Sequence, residues 1–321
     1  MDLSAAVDAA LDRSVVLGYT RVGSGLRRRW WPADPAADAL VGRRVLVTGA
    51  TSGIGEAMAR SFAELGAAVH LLGRNRTKLA AVAAALRTDV PNAEVVEEVC
   101  DVSDLDAVRA WAPGFAGRVP ALHGLVHNAG TMTDEREENP QGHELQLATH
   151  VLGPHLMSEL LLDLLRAGPA SVVWMSSGGM YGAKLYADPD GIEYRDGTYK
   201  GVQGYARTKR MQVVLADAWA GRLAGTGVDV ESMHPGWVET PGVASHLPTF
   251  RKVTGPLLRD AEDGADTAVW LVATRPTSHP PHFWHDRAQR PTTFGWQRAA
   301  HPGDVRRFLT YVTDATGTPP F

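Results

Sequence analysis

The sequence predicts an α/β fold, a single doubly wound domain in which helices cover both faces of one parallel sheet. Short runs rich in Val, Ala and Leu recur along the chain, and segments with helical periodicity lie between nearly all of them. A length of 321 residues, with 44% hydrophobic and 21% charged residues, suits one large globular domain with an added segment.

The predicted elements alternate in chain order. The strand candidates are residues 44–48, 68–72, 94–99, 121–127, 170–176 and 226–233. The helix candidates, long and rich in Ala and Leu, are residues 53–66, 76–88, 141–166, 204–224 and 261–273. Residues 178–204 and 241–260 interrupt the alternation after strand ends. Because an open α/β sheet binds ligands at the carboxyl ends of its strands, we expect both stretches to be substrate loops.

Three segments follow from this pattern: an N-terminal helical arm at 1–41, the sheet domain at 42–290 and a C-terminal tail at 291–321. Leu3, Val7, Leu11 and Val15 share one helical face of the arm, and a run of three Arg and two Trp follows at 27–31. Two interpretations stay open. The arm either contacts a membrane surface or packs on its own domain or on a dimer partner. We expect the domain to fold without residues 1–30, because the first strand begins near Arg44.

Composition excludes several classes of protein. A net charge of -4 gives no overall field that would attract nucleic acid. The single cysteine, Cys100, excludes an internal disulfide framework and favours a cytoplasmic setting. No apolar run reaches the roughly 18 to 20 residues that span a bilayer, and no secretory leader is recognisable. His279, His282 and His285 are irregularly spaced, so we expect a loop and edge strand there and no metal site.

The first strand runs into a glycine-rich segment, residues 48–55, and a helix begins at about Gly53. Glycines allow the backbone to approach a pyrophosphate closely, and free N–H groups at a helix start hold its negative charge. A plain turn between strand and helix is the alternative. The predicted cofactor contacts in this turn are Gly49, Thr51, Ser52, Gly53, Ile54 and Gly55.

The order of the later motifs resembles the short-chain dehydrogenase/reductase family. After the loop Thr-Gly-x-x-x-Gly-x-Gly come Asp101-Val102, His127-Asn128-Ala129-Gly130, Ser177, Tyr205-x-x-x-Lys209 and Pro235-Gly236. The resemblance covers about residues 42–290 and implies a Rossmann domain that binds NAD(P). Residues 176–180, 233–237 and 283–287 are similar to an orphan group of that family, dehydrogenase/reductase member twelve, which names no substrate.

The resemblance also implies where the cofactor lies. It places Asp101 and Val102 at the adenine, and Asn128, Ala129 and Gly130 beside the adenosine ribose. It adds Pro235, Gly236 and Thr240 to the cofactor contacts.

The end of the second predicted strand indicates which cofactor is used. NAD-binding relatives carry an acidic residue there, but this chain has Gly73, followed by Arg74 and Arg76. Guanidinium groups at this place suit a 2′-phosphate, so we expect NADP(H) rather than NAD(H). Solvated arginines at a helix start are the alternative.

Tyr205 and Lys209 are four residues apart and therefore share one face of a helix. A nearby ammonium would lower the pKa of a phenol, which is near 10 and too high for proton exchange at neutral pH. The resemblance implies that Lys209 binds the nicotinamide ribose, that Tyr205 exchanges a proton with the substrate oxygen, and that Ser177 hydrogen-bonds that oxygen.

His150 departs from the family pattern, which has an asparagine that supports a proton-relay water. As a relay group, an imidazole with a pKa near 6.5 would make turnover pH-sensitive. As a buried packing residue, it would leave the pH profile unaltered. Both interpretations stay open.

The sequence therefore predicts an NADP(H)-dependent oxidoreductase that interconverts an apolar carbonyl compound and its alcohol. The alternative is a dinucleotide-binding sensor or scaffold with little turnover, suggested by His150. A membrane-associated reductase of lipid carbonyls is a weaker third hypothesis. We expect a small-molecule partner and no nucleic acid, and a homo-oligomer is compatible with the sequence.

Overall fold

The computed structural model describes residues 3–239, 252, 254–295 and 297–321. In this part of the chain, an eight-stranded sheet has the order β3-β2-β1-β4-β5-β6-β7-β8. All neighbouring strands run parallel except β7 and β8, which pair antiparallel. The strands are β1 (Arg44–Thr48), β2 (Ala68–Gly73), β3 (Val95–Val99), β4 (Gly124–His127), β5 (Ala170–Met175), β6 (Val228–Met233), β7 (Phe283–His285) and β8 (Ala288–Gln289).

Helices connect the strands and flank the sheet. The α-helices are α1 (Leu3–Arg13), α2 (Val15–Tyr19), α3 (Arg21–Arg27), α4 (Gly53–Glu64), α5 (Arg76–Asp89), α6 (Leu105–Ala116), α7 (Leu145–Leu147), α8 (Gly153–Leu160), α9 (Leu162–Arg166), α10 (Pro189–Ile192), α11 (Gly201–Arg222), α12 (Ala261–Thr274) and α13 (Pro302–Thr316). Short 3₁₀ turns occur at Arg28–Trp30, Gly178–Gly182 and Gly255–Leu257, and a π-turn at Ala148–Leu152.

Each face of the sheet buries its own apolar layer. Leu46 of β1 packs in the layer beneath α6, α8, α11 and α13. Val45 and Val47 of the same strand pack in the other layer, beneath α4, α5 and α12. Alternate residues of a strand point to opposite faces, so a strand covered on both sides is apolar throughout. The doubly wound α/β fold predicted from the sequence is confirmed.

The predicted helix at 141–166 is interrupted. Helical structure begins only at Leu145, passes through the π-turn Ala148–Leu152 and breaks again between α8 and α9. Glu144 caps the start, because its carboxylate accepts hydrogen bonds from the backbone N–H groups of Gln146 and Leu147.

The N-terminal arm packs on its own domain. Leu11 is 8% exposed, Tyr19 is 2% exposed and Arg27 is fully buried. The following segment is also attached, because Trp270 of α12 donates a hydrogen bond to the carbonyl of Ala33. Of the interpretations left open by the sequence, packing on the parent domain describes this structure. Of the helices described, none is both long and apolar enough to span a membrane.

Candidate active site

A tight glycine turn joins β1 to α4 at the carboxyl edge of the sheet. Gly49 and Gly53 have φ angles of +67° and +55°, a region that glycine adopts without strain. A Cβ atom on Gly49 would lie 2.8 Å from the Cα atom of Ala129, and one on Gly55 would lie 2.2 Å from the carbonyl oxygen of Gly49. This close approach therefore requires glycine at both positions.

Side chains from two strand ends hold this turn in place. The Thr48 hydroxyl accepts hydrogen bonds from the backbone N–H groups of Asn128 and Ala129, at 3.0 and 2.9 Å. The Asn128 amide donates in return to the carbonyl oxygens of Thr48 and Gly49, at 3.0 and 3.2 Å. Thr48 was not among the predicted site residues, since only the pairing of β1 with β4 reveals its partners.

The start of α4 fits a dinucleotide pyrophosphate. Ser52 precedes the helix in an extended conformation, and its side chain makes no capping hydrogen bond to the described part of the chain. The helix therefore presents its first N–H groups and the positive end of its dipole at the glycine turn. Thr51 and Ser52 are accessible beside it, whereas Ile54 packs in the apolar layer of α12.

The predicted adenosine end lies at the carboxyl ends of β2 and β3. Gly73 ends β2, and the exposed Arg74 guanidinium lies 3.7 Å from the Asp101 carboxylate. Asp101 is fixed by Ser103, whose backbone N–H and hydroxyl donate to it at 3.0 and 2.7 Å. Val102 is buried behind it. The second strand thus ends in a glycine followed by a cation, with one carboxylate close by.

Three of the four predicted catalytic residues, Ser177, Tyr205 and Lys209, lie together where α11 packs against the turn after β5. The Lys209 ammonium lies 5.2 Å from the centre of the Tyr205 ring and donates to the carbonyl oxygen of Met175 at 2.8 Å. The Ser177 side chain lies close enough to the Tyr205 phenol to lower its pKa. The hydroxyl of Ser177 also accepts from the N–H of Gly179, at 3.2 Å. The neighbouring Ser176 points away from the phenol and donates to the Lys209 carbonyl, linking β5 to α11.

Burial shifts the pKa values of both Lys209 and Tyr205. It lowers the pKa of Lys209 to about 7. It also raises the pKa of Tyr205, and the Ser177 side chain offsets only part of this rise. The expectation that Lys209 would bring the phenol pKa below its ordinary value is not met in this structure, because desolvation outweighs the other influences.

His150 lies inside the π-turn, a distortion that often occurs at functional sites. Its Nε2 atom accepts a hydrogen bond from the N–H of Thr131 at 3.1 Å, so the proton of the neutral ring is assigned to Nδ1. Nδ1 then donates to the Thr208 hydroxyl at 2.8 Å, which donates to the carbonyl of Tyr205. The His150 ring packs edge-on against Tyr205.

The surroundings of His150 bear on the two interpretations that the sequence leaves open. Burial, assisted by the charge of Lys209, holds the pKa of His150 well below its ordinary value. The imidazole therefore stays neutral near pH 6.5, and no inflection of turnover is expected there. The contacts favour the packing interpretation.

The turn after β6 lies at the same carboxyl edge of the sheet as the glycine turn. Gly236 has a φ of +83°, and its N–H donates to Nδ1 of the buried His234. The His234 ring stacks on His285 with centres 3.7 Å apart. Pro235 and Gly236 therefore lie against a rigid support, whereas Thr240 falls outside the described residues. Within those residues, no cluster of three or more His, Cys, Asp or Glu side chains could hold a metal ion.

Comparison with known proteins gives a consistent group of relatives. The family model described as short chain dehydrogenase matches residues 43–187. The chain is 34% identical over 300 residues to dehydrogenase/reductase SDR family member 12 of Bos taurus, covering 92% of this chain and 93% of the relative. It is 34% identical over 233 residues to human retinol dehydrogenase 12, covering 72% and 73% of the two chains.

A solved structure with a bound cofactor is also similar. The short chain dehydrogenase of Shigella flexneri, complexed with NADP, is 27% identical and superposes with a TM-score of 0.60. The similarity covers 74% of this chain and 93% of that one.

Proposed function

Because the chain belongs to the short-chain dehydrogenase/reductase family of NAD(P)-dependent oxidoreductases, we propose that it uses NADP(H) to interconvert an apolar carbonyl compound and its alcohol. The observation that carries this proposal is the cluster of Ser177, Tyr205 and Lys209 beside the glycine turn. A sensor or scaffold would not need these three side chains in contact.

Each of the three side chains has a role in this proposal. When bound, the nicotinamide supplies or accepts the hydride. Ser177 hydrogen-bonds the substrate oxygen as negative charge develops on it. The Tyr205 hydroxyl gives a proton to that oxygen during reduction, and the Tyr205 phenolate takes a proton from it during oxidation. Lys209 in its charged form stabilises the phenolate and anchors the ribose.

The role of Tyr205 can be tested by removing its hydroxyl. We expect Tyr205→Phe to bind NADPH as the parent does, but to lose turnover by about 10² to 10⁴-fold, the usual contribution of general acid catalysis. Tyr186→Phe serves as the matched control, because the Tyr186 ring packs on Arg207 outside the cluster. Steady-state rates and NADPH fluorescence titrations measure both effects, and unchanged turnover in Tyr205→Phe would remove this residue from the mechanism.

The choice of NADP(H) is supported by the end of β2. Gly73 carries no carboxylate that would repel a 2′-phosphate, and Arg74 is exposed there for pairing. The complex of the Shigella relative with NADP is consistent with this choice. Asp101 lies close enough to Arg74 to compete for its charge, so the preference depends on which partner Arg74 takes.

Replacing Arg74 tests the preference. We expect Arg74→Ala to weaken NADPH binding by about 10-fold or more, the equivalent of about 1.4 kcal/mol, and to leave NADH binding within about 2-fold. Arg60→Ala, which removes an exposed arginine paired with Asp89, is the control. Equal losses for the two cofactors in Arg74→Ala would contradict the assignment.

The substrate class can be narrowed by a screen. The name of human retinol dehydrogenase 12 indicates that its substrate is retinol, a long apolar alcohol. We therefore expect apolar aldehydes and alcohols to be turned over before small polar ones. Cofactor absorbance during such a screen separates an oxidoreductase from a sensor or scaffold, which would show no change with any of them.

Contact with a membrane surface is a second proposal for the arm. Leu17 and Val22 are each half exposed, and the side chain of Arg28, which pairs with Asp263, is 51% exposed nearby in the same segment. Apolar side chains beside cations suit an anionic lipid interface. Sedimentation with anionic vesicles tests this, and absence of binding at low salt would end the proposal.

A further inference from the structure

Tyr19 of the arm lies between two loops at the carboxyl edge of the sheet. On one side, its ring covers the residue after Ser177, so that a Cβ atom on Gly178 would lie only 2.7 Å from Cε2 of Tyr19. On the other side, the ring packs edge-on against His234, with centres 4.5 Å apart. The Tyr19 side chain therefore fills the space between the Ser177 loop and the turn after β6.

The backbone of Tyr19 contacts the second loop directly. Its carbonyl oxygen accepts hydrogen bonds from the N–H of Trp237 at 2.7 Å and from Nε of Arg259 at 3.0 Å. A Cβ atom on Gly236 would lie 2.7 Å from the same oxygen. The position of the Pro235-Gly236 turn is thus coupled to the position of the arm.

A buried cluster of charges fixes the arm at this place. The Asp286 carboxylate pairs with Arg27 at 2.9 Å and with Arg259 at 2.5 Å, and all three side chains are 2% exposed or less. Arg27 and Arg259 also donate to the carbonyl of Gly18, next to Tyr19. Buried ion pairs contribute little net stability compared with apolar packing, but they select one geometry.

We propose that Tyr19 is a positioning residue for the reaction, which holds the Ser177 loop and the Pro235-Gly236 turn at the spacing that catalysis needs. This inference rests on the proposed oxidoreductase function. Tyr19 acts through Gly178 and Gly236 and does not itself exchange a proton with the substrate. The reacting groups must be held within a fraction of an ångström, because a displacement of about 1 Å can cost about 10²-fold in rate.

The contacts of Tyr19 predict which replacements matter. They are made by the ring and by the backbone, so Tyr19→Phe should stay within about 3-fold of the parent kcat. Tyr19→Ala removes the ring and should lower kcat by about 10-fold or more, with a smaller change in the NADPH dissociation constant. Trp111→Ala removes a partly buried aromatic side chain from α6, where it packs on Phe115, and controls for a general loss of stability.

Hydrogen exchange provides a readout that needs no substrate. The amides of residues 177–182, Gly236 and Trp237 should exchange faster in Tyr19→Ala than in the parent or in Trp111→Ala. Gly178→Ala adds a second test. Its methyl group would collide with the Tyr19 ring, so its effect on kcat should be smaller in the Tyr19→Ala background than in the parent.

These measurements separate the two proposals. If the parent turns over substrate but Tyr19→Ala resembles Trp111→Ala in kcat and in exchange, the positioning role is overturned and the oxidoreductase function stands. If no carbonyl or alcohol is turned over by the parent, the proposed function fails. In that case hydrogen exchange still tests whether Tyr19 holds the two loops. Unaltered hydrogen exchange in Tyr19→Ala would overturn the positioning role as well.

Discussion

Tyr205 and Lys209 show how far spacing alone can predict a site. An i, i+4 pair on a helix lies on one face, and the structure places the ammonium 5.2 Å from the phenol ring. The charges of the pair could not be predicted in the same way. They depend on burial beneath β5 and the Ser177 loop, which are distant in sequence. Burial lowers the pKa of Lys209 and raises the pKa of Tyr205.

The pKa of Lys209 can be measured directly. The chain has five lysines, so 13Cε-labelled lysine should give five resolvable NMR titrations. We expect one of them to titrate at about pH 7 instead of near its ordinary value of about 10.4, and Lys209→Arg to abolish that signal. A curve in which all five lysines titrate near pH 10 would contradict the desolvation of Lys209.

Because burial lowers the pKa of Lys209, the stability of the fold depends on pH. Between pH 7 and about 10 the unfolded chain binds a proton at Lys209 that the folded chain has lost. The contribution of Lys209 therefore makes the fold more stable as pH rises through this interval. The penalty for burying its charge is fully present below pH 7.

The tautomer and the pKa of His150 could not be predicted from its position in the sequence. Its sequence position indicated a departure from the family pattern, but its tautomer and pKa depend on Thr131 and Thr208, which lie on other segments. An imidazole that is buried and bonded at both nitrogens does not titrate near its ordinary pKa.

At the scale of elements, the strands were predicted more accurately than the helices. Each predicted strand overlaps an observed strand. The signal is clearest where a parallel strand covered on both faces forms a nearly continuous apolar run, as in β1 and β2. Helices α6, α10 and α13 were not predicted. Pro113 interrupts the sequence of α6. In the C-terminal tail, α13 has ordinary helix boundaries, with Pro302 at its start and Gly317 after its end.

The turn between β7 and β8 carries the carboxylate of Asp286, on which two arginines converge. Burial alone would raise the pKa of Asp286, but His285, Arg259 and Arg27 together hold it far below its ordinary value. Because the folded pKa is lower than the unfolded one, this carboxylate stabilises the fold above about pH 4. That contribution is lost progressively as pH falls further.

Neutralising Asp286 should therefore be costly. We expect Asp286→Asn to lower the free energy of unfolding by about 3 to 5 kcal/mol, since it leaves buried guanidinium groups without their counterion. Asp89→Asn, which breaks the exposed pair with Arg60, should cost at most about 1 kcal/mol. Urea denaturation measures both variants. Equal losses would mean that the buried cluster is no more important than a surface pair.

At the scale of the whole molecule, the arm and the sheet domain share buried contacts. Asp8 pairs with Arg290 at 2.6 Å and with Arg27 at 2.7 Å. These contacts argue against the expectation that residues 1–30 are dispensable for folding. The sequence pattern showed that a helical arm exists. Its partners in the sheet domain, Asp286 and Arg290, are more than 200 residues away, and no local pattern connects them to the arm.

Deleting residues 1–30 should destabilise the protein. Loss of the arm removes Tyr19 and one counterion of Asp286, and we expect the melting temperature to fall by about 6 to 20 °C, at about 2 to 4 °C per kcal/mol. Deleting residues 1–6 alone keeps Asp8 and should have little effect. A melting temperature unchanged by the longer deletion would show that the arm is not part of the stable fold.

The Asp286 cluster also has a consequence for biosynthesis. Arg27 and Asp286 are 259 residues apart, and Asp8 and Arg290 are 282 apart. At about 5 to 20 residues per second, a ribosome needs roughly 13 to 56 s between making the first and the second partner of these pairs. Throughout that interval the nascent arm lacks its two partners in the sheet domain, Asp286 and Arg290. The ion pairs that hold the arm can therefore form only after Asp286 and Arg290 have been synthesised.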